Sequence, residues 1–114
     1  MTPASRITAR YMTARLRRMN LLSTAPPLGT QRALPERERM IHALVYEPYG
    51  PGQWLVADFD GEDVFWGAAK QGSGWRWGMF SLKKLEGALG RLDPRVEFDT
   101  NFRPKLFPDA VRGL

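Results

Sequence analysis

Residues 52–86, GQWLVADFDGEDVFWGAAKQGSGWRWGMFSLKKLE, decide the fold of this chain and contain all four of its tryptophans. Asp60-Gly61 lies between two apolar runs, which is the pattern of a tight hairpin turn. Residues 71–74, Gln-Gly-Ser-Gly, form a second turn by composition. The stretch therefore predicts three antiparallel strands, at residues 53–60, 64–70 and 75–80.

A helix is predicted directly after the last of these strands. Ser81 is a favourable N-cap, and Leu82, Leu85 and Leu89 follow it at helical spacing. Gly90 is the expected end of the helix. We expect this helix to cover one face of the sheet.

Strands are also predicted on either side of this block. Residues 40–47 predict a strand covered on both faces, because both alternating sets are largely apolar: Ile41, Ala43 and Val45 on one face, and His42, Leu44 and Tyr46 on the other. Residues 96–98 predict an edge strand. Beyond it we expect a packed but irregular tail, anchored by Phe102 and Phe107.

Together these elements predict an α+β fold, an antiparallel meander of four to five strands with a helix after the fourth. Residues 1–20 predict an amphipathic N-terminal helix, residues 21–39 a proline-bearing connector, and residues 40–114 the antiparallel core. At 114 residues, the chain is expected to form one structural domain that buries a core without covalent cross-links.

Positive charge is concentrated at the N-terminus. The net charge is +5, but residues 1–39 carry eight arginines against two glutamates, so the remainder is close to neutral. On a helical wheel, Arg6, Arg10 and Arg17 form a ridge opposite the apolar side. This ridge suits an acidic partner, either a phosphate backbone or an acidic protein face; alternatively, it is the solvated side of a docked helix.

Composition narrows the classes of protein to consider. The chain has no cysteine, which excludes disulfides, thiolate nucleophiles and thiolate zinc sites, and suits a reducing compartment. No apolar run approaches the roughly 18 residues of a membrane span. We therefore expect a cytoplasmic protein that has no membrane contact and needs no cofactor.

Four carboxylates within six residues, Asp58, Asp60, Glu62 and Asp63, invite comparison with a calcium loop. An EF-hand counted from Asp58 would require glycine at position six and glutamate at position twelve, where this chain has Asp63 and Ala69. We interpret the cluster as a solvated turn, with neither a metal site nor a catalytic carboxylate pair.

Two other features resemble catalytic or phosphate-binding elements only superficially. His42 is the only histidine, and we interpret it as a hydrogen-bonded or edge-exposed residue rather than as the base of a catalytic triad, which needs a nucleophile and an orienting acid beside it. Gly72-Ser73-Gly74 lacks the lysine of a phosphate-binding loop and reads as a hairpin turn. We therefore predict no catalytic and no metal-binding residues and expect a protein that is not an enzyme; a small hydrolase is the catalytic alternative.

The motif Trp75-Arg76-Trp77 is the sharpest binding feature. Indoles on an exposed strand face would stack on bases or anchor a protein interface, with arginine adding charge. Buried indoles would instead fill the core. The candidate partner-binding or nucleic-acid-binding residues are Arg6, Arg10, Arg17, Trp75, Arg76 and Trp77.

Several short motifs in order resemble a known family. They are WLVADFD at 54–60, FWG at 65–67, WGMFSLKKLE at 77–86, and VEFD with FRPK between 96 and 105. Together with the N-terminal helix, they resemble the bacterial domain of unknown function 2958. The resemblance implies a small protein that often travels on plasmids and integrative elements, and it implies no activity or catalytic residue.

These observations favour a non-catalytic binding protein of mobile-element type. We expect it to modulate or inhibit a nucleic-acid-handling complex, in the manner of anti-CRISPR or anti-restriction inhibitors, with a protein or nucleoprotein partner. The alternative is direct DNA or RNA binding through the basic N-terminal helix and an aromatic sheet face, for which the sequence contains no helix-turn-helix or recognisable RNA-binding motif.

Overall fold

A five-stranded antiparallel sheet forms the centre of the computed structural model, which describes residues 20–88 and 96–114. Its strands are β2 (Ala43–Tyr46), β3 (Gln53–Phe59), β4 (Val64–Gln71), β5 (Gly74–Ser81) and β6 (Glu97–Phe98). Their order across the sheet is β5-β4-β3-β2-β6. Two short strands pair separately, β1 (Met40–Ile41) and β7 (Lys105–Leu106). The short helices are α1 (Leu82–Ala88), α2 (Phe107–Arg112) and a 3-10 turn at Glu36–Glu38. The fold is therefore α+β, with a mostly antiparallel sheet of five strands.

Part of the predicted architecture lies outside the described residues. The predicted N-terminal helix, with Arg6, Arg10 and Arg17, lies outside the described residues except for its last residue, Asn20. The predicted end of the second helix at Gly90 also lies outside them, in residues 89–95. Within residues 20–88 and 96–114, no helix is long and apolar enough to cross a membrane.

Both predicted hairpins are present. The β4–β5 turn is the two-residue Gly72-Ser73, and only Gly72 has a positive φ, of 61°, as the first central residue of a type II′ turn does. In the β3–β4 turn, the Asp60 carboxylate accepts hydrogen bonds from the backbone N–H groups of Glu62, Asp63 and Val64. Each turn joins neighbouring strands of the meander.

The prediction of one continuous strand over residues 40–47 was wrong, because the chain is interrupted at His42. The His42 N–H donates to the carbonyl of Val56 at 2.8 Å, while Val56 is also the register partner of Ala43. Two successive residues thus lie opposite one, which is the geometry of a β-bulge. As a result Ile41 and Ala43, predicted to share a face, pack into different clusters.

The sheet is covered on both faces. One face packs under α1 and the segment around Leu22; its buried residues are Leu22, Ala43, Val45, Val56, Phe59, Phe65, Leu82 and Val96. The other packs under the β1–β7 ribbon and α2; its buried residues are Ile41, Leu44, Leu55, Ala57, Trp66, Ala68, Phe107 and Ala110. We call these the α1 face and the α2 face.

The C-terminal tail forms β7 and α2, so the prediction of an irregular tail was wrong. Pro108 occupies the first turn of α2, where its missing N–H costs no hydrogen bond, and Gly113 caps the end. The Phe107 N–H donates to the carbonyl of Arg39 at 2.8 Å, and Phe107 and Ala110 are buried. Tertiary packing of this apolar pair explains a helix too short to be stable alone.

Candidate interaction surface at the edge of the sheet

The β5 strand forms one edge of the five-stranded sheet. It pairs with β4 over eight consecutive residue pairs, from Val64–Ser81 to Gln71–Gly74, with no break in register. Among the described residues, no strand pairs with its other side. The opposite edge, β6, is only two residues long.

The backbone groups that β5 leaves free can be assigned from the pairing. In an antiparallel ladder, pairs that exchange both hydrogen bonds alternate with pairs that exchange none. The Gln71–Gly74 pair closes a two-residue turn and is of the first kind, so Trp75, Trp77 and Met79 belong to pairs of the second kind. Their backbone N–H and C=O groups therefore point away from β4, along the open edge. We call this row the β5 edge.

The side chains of Trp75 and Trp77 point onto the α2 face, where both are half-buried. The Trp77 ring lies 4.7 Å from that of Trp66 and 5.1 Å from that of Phe107, measured between centroids. Trp75 meets Phe107 edge-on at 6.3 Å. The two indoles are therefore part of the packing and are not displayed on a free surface.

Trp77 is further fixed by two residues of the connector. Its indole N–H donates to Glu36 Oε1 at 2.7 Å, and the Arg39 guanidinium lies 4.5 Å from its ring centroid and 4.8 Å from that of Trp66. Arg39 also donates to the carbonyls of Leu34 and Arg32. Glu36 and Arg39 of the connector thus hold Trp77 in place. The sequence of the connector does not signal this role, because Trp77 lies about 40 residues further along the chain.

Arg76 and Met79 remain exposed on β5. Arg76 lies opposite Ala69 and therefore points to the α1 face, away from both tryptophans. Met79 shares the face of the tryptophans and is 56% exposed, although it pairs with the buried Trp66. The alternation expected for this strand thus places Arg76 on the face opposite Trp75 and Trp77, and the exposed Met79 was not among the predicted binding residues.

A shallow groove lies over β5 and the neighbouring end of β4. It is lined by Ala69, Lys70, Gln71, Arg76, Trp77, Gly78, Met79 and Phe80. Gly78 contributes no side chain, so the groove is lined only by backbone between the side chains of Arg76 and Phe80. The groove combines aliphatic surface, backbone and two cations, which suits an extended peptide segment better than a small polar substrate.

The carboxylate cluster is divided among structural roles. Partial burial raises the pKa of Asp60, but the three backbone hydrogen bonds it accepts outweigh this and hold the pKa below its ordinary value. Asp63 accepts a hydrogen bond from the Lys83 N–H at 2.7 Å and one from the Ser81 hydroxyl, so it caps α1 together with Ser81. Within the described ranges, no group of three or more metal-ligating side chains is assembled.

Asp58 does not belong to a solvated turn, contrary to the prediction. It follows a bulge at Ala57 in β3 and is fully buried. Its Oδ2 accepts the Gln31 N–H at 3.2 Å, and its Oδ1 has no hydrogen-bond partner among the described residues. His42 Nδ1 lies 2.7 Å from the Thr24 hydroxyl. Burial lowers the pKa of His42, and the Asp58 carboxylate opposes this shift without cancelling it.

Comparison with known proteins identifies a family for this chain. The searches of curated proteins and of solved structures found no match. A family model described as "Protein of unknown function (DUF2958)" matches residues 29–107, from the connector through the sheet to the start of α2. The match covers more than half of the 114 residues and all five strands of the sheet, and the chain therefore belongs to this DUF2958 family.

Proposed function

We propose that this protein is a non-catalytic binding protein that modulates or inhibits a nucleic-acid-handling complex, as anti-CRISPR and anti-restriction inhibitors do. It would bind a protein component of that complex by accepting an extended segment of the partner along the β5 edge. The observation that carries the proposal is this edge, a strand of eight residues whose outward backbone groups pair with no other strand among the described residues.

Native proteins usually protect such an edge by shortening it, bulging it, or placing proline or several charges on it. The β5 sequence GWRWGMFS has no proline, one charge and an unbroken register. Within the described residues, an edge of this length that carries none of these protections is typical of proteins that bind partners by strand addition. Main-chain hydrogen bonds would supply affinity, and the exposed Arg76 and Met79 would supply selectivity on opposite faces.

Direct nucleic-acid binding is the second candidate, favoured by the arginine surplus in residues 1–39. Residues 20–88 and 96–114 do not share this surplus, since they contain ten lysines and arginines against eleven acidic residues. Trp77 is packed against Trp66, Phe107 and Arg39, which leaves little of its ring for stacking on a base. A protein partner is therefore favoured over a phosphate backbone.

The test is affinity capture from a bacterial lysate, with and without nuclease, using wild-type protein and two variants at Met79. Met79→Pro removes an outward N–H and leaves the β4 hydrogen bonds in place, whereas Met79→Leu keeps both the N–H and the apolar side chain. We expect the wild type and Met79→Leu to retain the same protein component after nuclease, and Met79→Pro to lose it.

Capture of nucleic acid alone, abolished by nuclease and falling steeply with salt, would refute this proposal in favour of direct binding. If Met79→Pro and the wild type capture the protein component equally, the β5 edge is not the partner-binding site.

A further inference from the structure

We propose that, in the absence of its partner, the β5 edge pairs with the β5 edge of a second copy of this chain, so that two five-stranded sheets join into one continuous antiparallel sheet. This inference rests on the proposed function only in taking the same edge as the interaction site. It adds a regulatory consequence, since the dimer would hide the surface that the partner needs.

Symmetry and hydrogen bonding limit the possible registers. A twofold axis between two identical strands makes them antiparallel, and the outward residues must lie opposite outward residues to exchange hydrogen bonds. Three central registers meet this condition: those with the axis at Arg76, at Trp77 or at Gly78. Each places a different pair of side chains directly across the new interface.

The axis at Trp77 gives the most complementary contacts. Arg76 then lies opposite Gly78 of the second copy on the α1 face, where the glycine adds no side chain of its own beside the Phe80 ring. Met79 lies opposite the second copy's Trp75 on the α2 face, which covers the exposed thioether with an indole. The outward groups of Trp75, Trp77 and Met79 would form about six hydrogen bonds in this register.

The other two registers conflict with the side chains or with the end of the strand. An axis at Arg76 places two arginines directly opposite each other, and like charges in that position are destabilising. An axis at Gly78 places Trp75 against Ser81, where the strand ends and the Ser81 hydroxyl is already engaged with Asp63 and the Lys84 N–H. The axis at Trp77 keeps all pairing within residues 74–80.

Sedimentation velocity across protein concentrations from about 1 μM to 1 mM tests the association. We expect the wild type to move from the mass of one 13.0 kDa chain to twice that mass. Met79→Pro removes two outward donors per dimer, so it should raise the dissociation constant about 30-fold or more, while Met79→Leu stays close to the wild type. Circular dichroism would verify that both variants are folded.

Disulfide trapping tests the register, because the chain has no cysteine of its own. A Cβ at Gly78 meets only the Phe80 ring, at 3.5 Å, so Gly78→Cys is sterically tolerated. The double variant Arg76→Cys/Gly78→Cys should form intermolecular disulfides on mild oxidation, and each single variant should not. Crosslinking of Arg76→Cys alone or of Gly78→Cys alone would assign one of the other registers and overturn the axis at Trp77.

These outcomes separate the dimer from the proposed function. If the wild type stays monomeric up to about 1 mM and Met79→Pro loses the partner, the dimer is overturned and the proposed function stands. A dimer that Met79→Pro dissociates without affecting partner capture supports the dimer and overturns the partner site. If both proposals hold, capture per chain should fall as protein concentration rises through the dissociation constant.

Discussion

The Gln31 side chain fixes the connector to the sheet, and its removal should cost a large share of the stability. Only 5% of this residue is exposed. Its Oε1 accepts the Met40 N–H at 2.5 Å, and its Nε2 donates to the carbonyls of Met40 at 2.9 Å and Ala57 at 3.1 Å. One amide therefore satisfies three buried or half-buried backbone groups that β1 and the β3 bulge leave unpaired.

Gln31→Met keeps the length of the side chain and removes all three hydrogen bonds. At about 1 kcal/mol for each net bond, the free energy of unfolding should fall by about 3 kcal/mol. For a domain of this size, that corresponds to a fall in melting temperature on the order of 10 °C. Urea denaturation followed by tryptophan fluorescence and circular dichroism measures the change.

Gln53→Met is the matched control. Gln53 lies in β3, and within the described part of the chain its buried Oε1 has no hydrogen-bond partner, so the same substitution removes no bond from that oxygen. We expect this variant to change the free energy of unfolding by less than about 1 kcal/mol. The reasoning fails if Gln31→Met costs less than about 1 kcal/mol, or no more than Gln53→Met.

Two further predictions concern the α1 cap and the single histidine. Asp63→Ala should lower the free energy of unfolding by about 1 kcal/mol because it removes the cap on the Lys83 N–H, whereas the exposed neighbour Glu62→Ala should have almost no effect in the same urea titration. The His42 ring should titrate by NMR with a pKa below the ordinary value of 6.5, because burial disfavours its charged form. The unfolded chain then binds the proton more readily than the folded chain. His42 should therefore leave the stability unchanged above pH 6.5 and lower it as the pH drops from 6.5 through the folded-state pKa. If the melting temperature of His42→Gln falls with decreasing pH as steeply as that of the wild type, this prediction is wrong.

The sheet was predictable because its signals are local. Asp60-Gly61 and the turn at 71–74 specify their reversals through residues that tolerate a positive φ, and Ser81 marks the start of α1 within one residue. The fold class, the three strands after residue 52 and the edge strand near residue 97 follow from such signals. Periodicity between the turns supplies the rest.

What the sequence missed depends on contacts between distant residues. The bulge at His42 arises because β1 pairs with β7 and β2 pairs with β3 and β6, and no residue near position 42 specifies that division. Helix α2 is only six residues long and depends on the burial of Phe107 and Ala110. Asp58 looks solvated beside Asp60 because the bulge that buries it cannot be read from residue types.

In the proposed function, the β5 strand at Trp75-Arg76-Trp77 serves the core and an interface at once. The indoles point inward and are held by Trp66, Phe107 and the connector, so they fix the position of β5. The backbone of the same two residues points outward and is unpaired among the described strands. Side-chain packing thus preorganises a row of main-chain donors and acceptors, which reduces the entropy lost when another strand binds. Because the recognition groups of the proposed site are backbone atoms, they have no residue-type signature, and the aromatic motif would mark the site only indirectly, by holding β5 in place.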